Sequence, residues 1–328
     1  MDIIINPTNK CNFGCSFCMA GNLKDRTLTS EDTIKLLDKY WTEPGILIIN
    51  GGDPLMMDPQ YYFEILDYTE NKFNGRTTFI SLTTNLYDWF INPDKWNSVL
   101  SHERVGVITS FQYGDKRRLK DGTIYNENKF TEVISKFQDT FNYTPDFISV
   151  VDNDNQLSTC KTAKLAKKLG CKCKLNKLLK LGRASHERYF PLYRLLLLYG
   201  KIIDQELDSY VSNIHNLKQY FTDKFTYCPI CRQCYHDIRV INNDKKVYPC
   251  GNLIAHQEYY KYDLEAGAEE YRFAKENNMI KMQCLGCENY RLCNSCRSII
   301  SEVKYMKDED NYCKQMKRII PVLKEKLS

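Results

Sequence analysis

The sequence contains no apolar run able to cross a bilayer: its longest aliphatic stretches, Ile46–Ile49 and Leu195–Leu198, are four residues each, against the ~20 a spanning helix needs. Met1–Pro7 lacks the basic start and apolar stretch of a secretory signal, so a soluble, cytoplasmic chain is expected, with no membrane partner. Charge of one sign is also missing. The 46 Lys+Arg and 41 Asp+Glu leave only +5, spread evenly, too little to recommend nucleic acid as a partner. Histidine is scarce, and His102, His186, His215, His236 and His256 show no metal-ligand spacing; only His236 stands close to a cysteine, Cys234. There is no internal repeat or low-complexity tract. With 43% apolar and 27% charged residues, neither a disordered chain nor a membrane bundle fits.

Cysteine is what the sequence has in excess. Fifteen occur in 328 residues, and all but Cys160, Cys171 and Cys173 fall into two clusters towards the ends of the chain. A secreted disulfide framework would come with a signal peptide and usually an even count. In a reducing compartment, thiolates two to five residues apart are most often metal ligands. The three outlying cysteines are expected to be buried as small apolar side chains, Cys160 in a helix, Cys171 and Cys173 on one face of a strand.

A chain of this length suits one large α/β barrel or a barrel with a second module. Short β-branched runs at Ile3–Ile5, Ile46–Asn50, Thr78–Thr83, Val105–Ser110, Phe147–Val151 and Cys171–Lys177 alternate with helical patterns. Thr29 followed by Ser30-Glu31-Asp32 gives an N-cap and first-turn acids, with Ile34, Leu37 and Trp41 on one face. Gln60–Lys72, Pro93–Ser101, Lys129–Phe137 and Leu157–Leu169 supply further helices. Strands separated by helices imply a parallel sheet with functional residues at strand C-terminal ends. Six units predict an α/β fold, a partial (β/α)6 TIM-like barrel open at one side, over residues 1–186. Residues 187–224 form a helical linker. Residues 225–328 form a cysteine-rich α+β domain stabilised by metal, with a hairpin of Ile238–Ile241 and Lys246–Tyr248 and helices at Leu264–Glu276 and Asn311–Lys326.

The first cluster, Cys11-Asn12-Phe13-Gly14-Cys15-Ser16-Phe17-Cys18, follows the first strand directly. A zinc structural site wants four protein ligands, whereas a cubane held by three leaves one iron open for chemistry. The zinc alternative needs a distant fourth ligand such as His102 or Cys160.

With Phe17 just before its last cysteine, this triad resembles the signature of the radical S-adenosylmethionine enzymes. The resemblance implies that Cys11, Cys15 and Cys18 hold a 4Fe-4S cluster whose open iron chelates S-adenosylmethionine. An electron from the cluster then cleaves that cofactor to a 5'-deoxyadenosyl radical, which abstracts hydrogen. Gly51-Gly52-Asp53-Pro54, after the second strand, is similar to the family's Gly-Gly-Glu-Pro turn, whose carbonyls receive the methionyl ammonium; Asp53 stands where Glu is usual. Thr84 and Asn85 after the third strand are similar to the family's Thr-Asn stretch, with Leu86 in place of the common Gly. Ser110 and Gln112 after the fourth are similar to its Ser-Leu-Asp-Gly segment. The resemblance makes these ribose and carboxylate binders; taken singly, each is equally a turn-forming polar residue at a strand end.

The second cluster, Cys228, Cys231, Cys234, Cys250, Cys284, Cys287, Cys293, Cys296 and Cys313, has enough thiols for two four-ligand cubanes with one over, or for two zinc-ribbon sites. From Cys234 onward it resembles the SPASM domain of radical enzymes that modify peptides and proteins, although Lys245 stands where that domain has a turn glycine. The resemblance assigns Cys228, Cys234, Cys250 and Cys296 to one auxiliary 4Fe-4S cluster and Cys284, Cys287, Cys293 and Cys313 to another, three clusters in all. Cys231 is left to replace Cys228 as ligand, to sit as an inert thiol, or to act catalytically by donating a hydrogen atom.

The resemblance therefore implies a radical peptide or protein maturase that installs a crosslink, thioether, epimerised centre or oxidised side chain. Gly251 follows Cys250 where sulfatase-maturing relatives place an Asp base, which favours crosslinking over formylglycine formation. No room precedes Cys11 for a leader-recognition domain, so a separate leader-recognition protein delivers the peptide or the barrel recognises it. A flavodoxin- or ferredoxin-like protein is the expected electron donor. Two alternatives stand beside this: a radical dehydrogenase acting on a small molecule, and a non-enzymatic metal-stabilised binding or electron-transfer module.

Overall fold

A computed structural model describes residues 2–21, 24–73, 78–223, 240–251, 254, 260, 262–269, 286–289, 292 and 309–328. Six parallel strands lie side by side in chain order: β1 (Ile3–Asn6), β2 (Ile46–Ile49), β3 (Phe79–Thr83), β4 (Val105–Ser110), β5 (Asp146–Val151) and β6 (Cys173–Lys177). Their aliphatic content follows from burial between helices and barrel interior. Ile3, Ile5, Leu47, Ile49, Ile80 and Leu82 are all within 1% of full burial. Among these six strands, β1 and β6 do not pair with each other, so the barrel is partial, as expected.

The helices on the outer face are α1 (Ser30–Tyr40), α2 (Pro59–Lys72), α3 (Tyr87–Ile91), α4 (Pro93–Leu100), α5 (Glu127–Phe141) and α6 (Thr159–Leu169). Local chemistry sets their ends. Thr29 Oγ1 accepts from Asp32 N at 3.1 Å, Asp58 caps α2 with Pro59 at its first position, and Gly170 closes α6 at φ 70°. Trp41, Trp89, Trp96, Phe130 and Phe137 fill the space beneath. The short α3 has no counterpart in the sequence reading, because five residues do not show a helical period. Leu157 falls in a single turn, Gln156–Ser158, before α6 proper. Cys171 and Cys173 are buried as expected, whereas Cys160 is half-buried and takes a hydrogen bond from Gln205 Nε2 at 3.4 Å.

The stretch expected to be a helical linker contains α7 (Leu192–Ile203) and α8 (Ser212–Asp223). The C-terminal helix, Glu309–Leu327, packs back on α7: the Tyr193 and Tyr312 rings are 5.9 Å apart, and Leu323 is buried over Gly200. The expected hairpin is β7 (Val240–Asn242) and β8 (Lys246–Tyr248), and it does not stand apart from the barrel. β7 pairs in parallel with β1, Ile4 opposite Val240 and Asn6 opposite Asn242. The sheet then continues through β9 (Tyr262–Asp263) and β10 (Ala268–Glu269). That last hairpin corrects the start of the helix expected over Leu264–Glu276, whose residues 270–276 lie outside the described residues: Asp263 Oδ1 accepts from Glu265 N and Ala266 N, and Gly267 has φ 62°. This is turn chemistry that a helical period conceals. No helix among the described residues is long and apolar enough to cross a membrane.

Candidate functional site

The cysteine triad lies in the loop that leaves the C-terminal end of β1. Cys15 is buried, and Cys11 and Cys18 are half-buried. The loop is held on two sides by backbone hydrogen bonds. Gly14 N donates to Arg118 O at 2.8 Å, Ser16 N to Lys116 O at 3.1 Å and Lys120 N to Asn12 O at 3.1 Å. Across the loop, Arg183 N donates to Cys18 O at 3.0 Å, and Arg183 Nη1 to Cys15 O at 3.3 Å. Gly182, at φ 58°, lies so close that a Cβ would sit 2.2 Å from Met19 O.

Burial is the main force on these thiols. It pushes Cys11 up to about 12, reinforced by the Asp53 charge and the other two cysteines and opposed by the Phe13 N–H. Cys18 is also raised, first by burial, while the Ala20 N–H, Arg183 and Arg117 work the other way. Thiols so buried release their protons when a metal centre takes them. Donors and cations already face them: Phe13 N reaches Cys11 Sγ at 3.3 Å, and the two arginines flank Cys18.

The Gly51–Pro54 turn follows β2 and grips the same loop. Gly52 N donates to Thr8 O and Asp53 N to Lys10 O, both at 2.8 Å. Gly51 has φ 114°, and a Cβ on it would lie 2.4 Å from Thr8 O, so only glycine suits this approach. The buried Asp53 carboxylate accepts from Leu55 N at 2.9 Å, Thr84 Oγ1 at 2.8 Å and Asn85 N at 2.8 Å. Pro54 opens a buried helical turn, and its carbonyl accepts from Tyr62 Oη of α2 at 2.6 Å. Ser110, at the end of β4, accepts from Arg117 Nη2 at 2.5 Å. Phe17 packs against the core at its edge.

Several polar atoms here are buried without a partner: Asn12 Nδ2, Gln112 Oε1, Arg117 Nε and Tyr125 Oη. Arg117 lies 5.1 Å from the Phe13 ring centroid and 5.7 Å from that of Tyr125, which places two of these residues, Arg117 and Tyr125, in one neighbourhood beside the loop. Buried orphan groups of this kind mark a place for a polar ligand. Neither Asn12 nor Arg117 stands out in the sequence as a functional residue. The only available signals are that Asn12 follows the first cysteine and that Lys116-Arg117-Arg118 is a short basic run after β4.

The family model described as the Radical SAM superfamily matches residues 5–175, more than half of the chain. The chain belongs to the radical SAM superfamily. Membership carries an S-adenosylmethionine requirement and a 4Fe-4S cluster. Solved structures share the fold. One, a histidine-tagged anSMEcpe with bound AdoMet, superposes with a TM-score of 0.73 at 16% identity over 98% of this chain and 97% of that one. Native anSMEcpe with bound AdoMet and Kp18Cys peptide gives 0.71 at 17% identity, with 99% of both chains covered. SuiB of Streptococcus suis, bound to S-adenosylmethionine, gives 0.61 at 14% identity over 92% of this chain and 74% of its own. No curated protein matches the sequence.

In this radical SAM chain the donor set suits the family's cluster. The thiols share one loop where N–H donors and arginines oppose the burial that disfavours their anions, the kind of donor that a thiolate-held cluster would use. Of the second cysteine cluster, Cys250 is buried just after β8, Cys287 is half-buried, and Cys313 is on the exposed side of the C-terminal helix. Cys228, Cys231, Cys234, Cys284, Cys293 and Cys296 lie outside the described residues.

Proposed function

We propose that this enzyme modifies a side chain of a ribosomally made peptide or protein by hydrogen abstraction. Cys11, Cys15 and Cys18 are assigned to the S-adenosylmethionine-binding cluster. Together, cluster and cofactor supply a 5'-deoxyadenosyl radical. The observation that carries the assignment is the enclosure of one thiol-bearing loop by the ends of β2, β3 and β4. The Gly51–Pro54 turn grips its backbone, and Asn85 and Arg117 face its first turn.

Within that arrangement the chain's own residues bind and orient. Ser110, Gln112 and Arg117 offer a hydroxyl, an unpartnered amide oxygen and an unpartnered guanidinium N–H to the cofactor's polar groups. Phe13, Tyr87 and Tyr125 pack together beside the loop, with ring centroids 4.9 to 6.3 Å apart, and exclude water from it. The second cysteine cluster is assigned to two auxiliary 4Fe-4S clusters with the ligand sets given above, Cys231 being left over. Two observations support a peptide substrate: the resemblance to the SPASM pattern, and a fold shared end to end with a protein solved with a peptide bound. Gly251 after Cys250 favours crosslinking over formylglycine formation.

The test is anaerobic reconstitution followed by product analysis. About 12 irons per chain are expected from three clusters of four. Cys11→Ala, Cys15→Ala and Cys18→Ala abolish 5'-deoxyadenosine formation, whereas Cys284→Ala or Cys293→Ala leaves cofactor cleavage and stops product. Coexpression with a peptide encoded beside this gene, followed by mass spectrometry, identifies the altered residue. Normal cleavage by the Cys15→Ala protein overturns the assignment.

A further inference from the structure

Asn85 was expected to bind the cofactor, but its side chain is already committed. Asn85 Oδ1 accepts from Tyr87 N at 2.8 Å, and a backbone N–H can only donate, so this bond fixes which end of the amide is oxygen. Asn85 Nδ2 therefore points the other way. It donates to Asn12 Oδ1 at 2.7 Å and lies 3.8 Å from Cys11 Sγ. An amide nitrogen has two hydrogens, one for each of these acceptors. The residue is 4% exposed, and its own N–H is held by Asp53 Oδ2, so backbone and side chain are both fixed.

We propose that Asn85 is a positioning residue that donates a hydrogen bond from Nδ2 to the Cys11 sulfur and thereby raises the reduction potential of the cluster Cys11 helps hold. This rests on the assignment of Cys11 as a cluster ligand. Reduction adds negative charge to the cluster and its sulfurs, and a donor aimed at one of them stabilises that charge. With Phe13 N at 3.3 Å on the same atom, Cys11 receives two donors. Asp53 acts one step further back by holding the Asn85 backbone.

The experiment is an EPR-monitored redox titration of the reconstituted full-length protein. The N-terminal cluster is recognised by the change of its signal on addition of S-adenosylmethionine. Asn85→Leu removes the donor at similar volume, and its ratio of reduced to oxidised cluster at a fixed potential is expected to fall about tenfold, ~59 mV for one electron. Asn85→Asp adds a charge as well and falls further. Asn12→Ala removes the other acceptor but leaves the donor to sulfur, while the backbone bond from Lys120 N to Asn12 O still holds the loop; its potential stays within a third of the Asn85→Leu shift. An unchanged potential in Asn85→Leu, or an equal shift in Asn12→Ala, overturns the role of Asn85. Should Asn85→Leu fail to retain its cluster, Asn12→Ala protein labelled with 15N at asparagine side-chain amides decides. A hyperfine coupling to the reduced cluster supports the bond, and its absence overturns it. A wild-type protein without a cofactor-responsive cluster overturns the assignment of Cys11 as well, whereas a normal cluster with an unshifted potential overturns this inference alone.

Discussion

Asp53 Oδ2 accepts the backbone N–H of Asn85 at 2.8 Å, a bond that pins the turn after β2 to the turn after β3. The other oxygen of the same carboxylate takes Thr84 Oγ1 and Leu55 N. A carboxylate with three donors inside a 2% exposed side chain works here as a bracket between strand ends. The shorter Asp in place of the family's Glu fits that enclosure.

The bracket makes the stability of the metal-free protein depend on pH. Burial raises the Asp53 pKa from 3.8 to about 6, while Asn85 N, Thr84 and Leu55 N pull it down. Because the folded state holds this proton more tightly than the unfolded chain, its contribution is complete below pH 3.8 and declines as pH rises through about 6. Relative to Asp53→Asn, the wild type should lose up to about 3 kcal/mol of unfolding free energy between pH 4 and 7. Urea titrations of both apo proteins across that range check this. Parallel pH profiles would show that folding does not raise the Asp53 pKa.

Gly52 is where the loop and the turn come nearest. A Cβ there would lie 2.2 Å from Lys10 O and 2.5 Å from Asn9 O, whereas one at Gly106 on β4 would meet nothing within 4 Å. Gly52→Ala must displace the segment leading into Cys11, so iron bound after reconstitution falls and the cofactor-responsive EPR signal is lost. Gly106→Ala retains both. Equal iron and signal in the two variants would mean that the loop tolerates the shift.

Two non-glycine residues adopt a conformation that glycine would favour. Leu86 has φ 62° and Lys245 φ 60°, a left-handed backbone costing an ordinary residue roughly 1–2 kcal/mol. Their consequences differ because their surroundings do. Leu86 is fully buried; Leu86→Gly relieves strain but opens a cavity worth roughly 2–5 kcal/mol, so a net loss of about 2 kcal/mol is expected. Lys245 is one-third exposed and pairs with Asp32 at 3.1 Å, a bond worth about 1 kcal/mol or less. Lys245→Gly should therefore stay within about 1 kcal/mol of wild type. Thermal denaturation ranks the pair, and the reverse order would contradict this account.

These same positions show how far the sequence speaks. Strands β1 and β2 are legible as aliphatic runs bounded by turn residues, β6 (Cys-Lys-Leu-Asn-Lys) only by its alternation, and the cysteine spacing marks the loop after β1 without help from structure. Leu86 and Lys245 give no sign in the sequence of the left-handed backbone that each adopts. The roles of Asn12, Arg117 and Arg183 are not legible, since each depends on contacts between distant segments: Arg183 meets Cys15 and Cys18 from far down the chain. Nor does composition reveal that β7 joins the edge of β1, because strand pairing across more than 200 residues leaves no local trace.

Lys116 offers a test of how the site's outer wall is held. Its ammonium contacts Asp152 at 2.9 Å and Asp154 and Glu187 at 2.7 Å, while its carbonyl takes the N–H of Ser16 in the cysteine loop. Burial opposes the lysine charge, but the bonds it donates to Asp154, Glu187 and Asp152 outweigh it and hold the pKa above its ordinary value. Asp152 has a 1% exposed side chain and Asp154 a 57% exposed one, so the buried partner dominates. Lys116→Met leaves Asp152 charged and buried beside two other carboxylates and should cost about 3 kcal/mol. Asp154→Asn, screened by water, should cost less than about 1 kcal/mol. Adding Asp152→Asn to Lys116→Met should restore at least half of the loss, since it removes the uncompensated charge. Urea unfolding of the four proteins measures this. No restoration in the double variant would show that the lysine acts through packing of its stem against the wall.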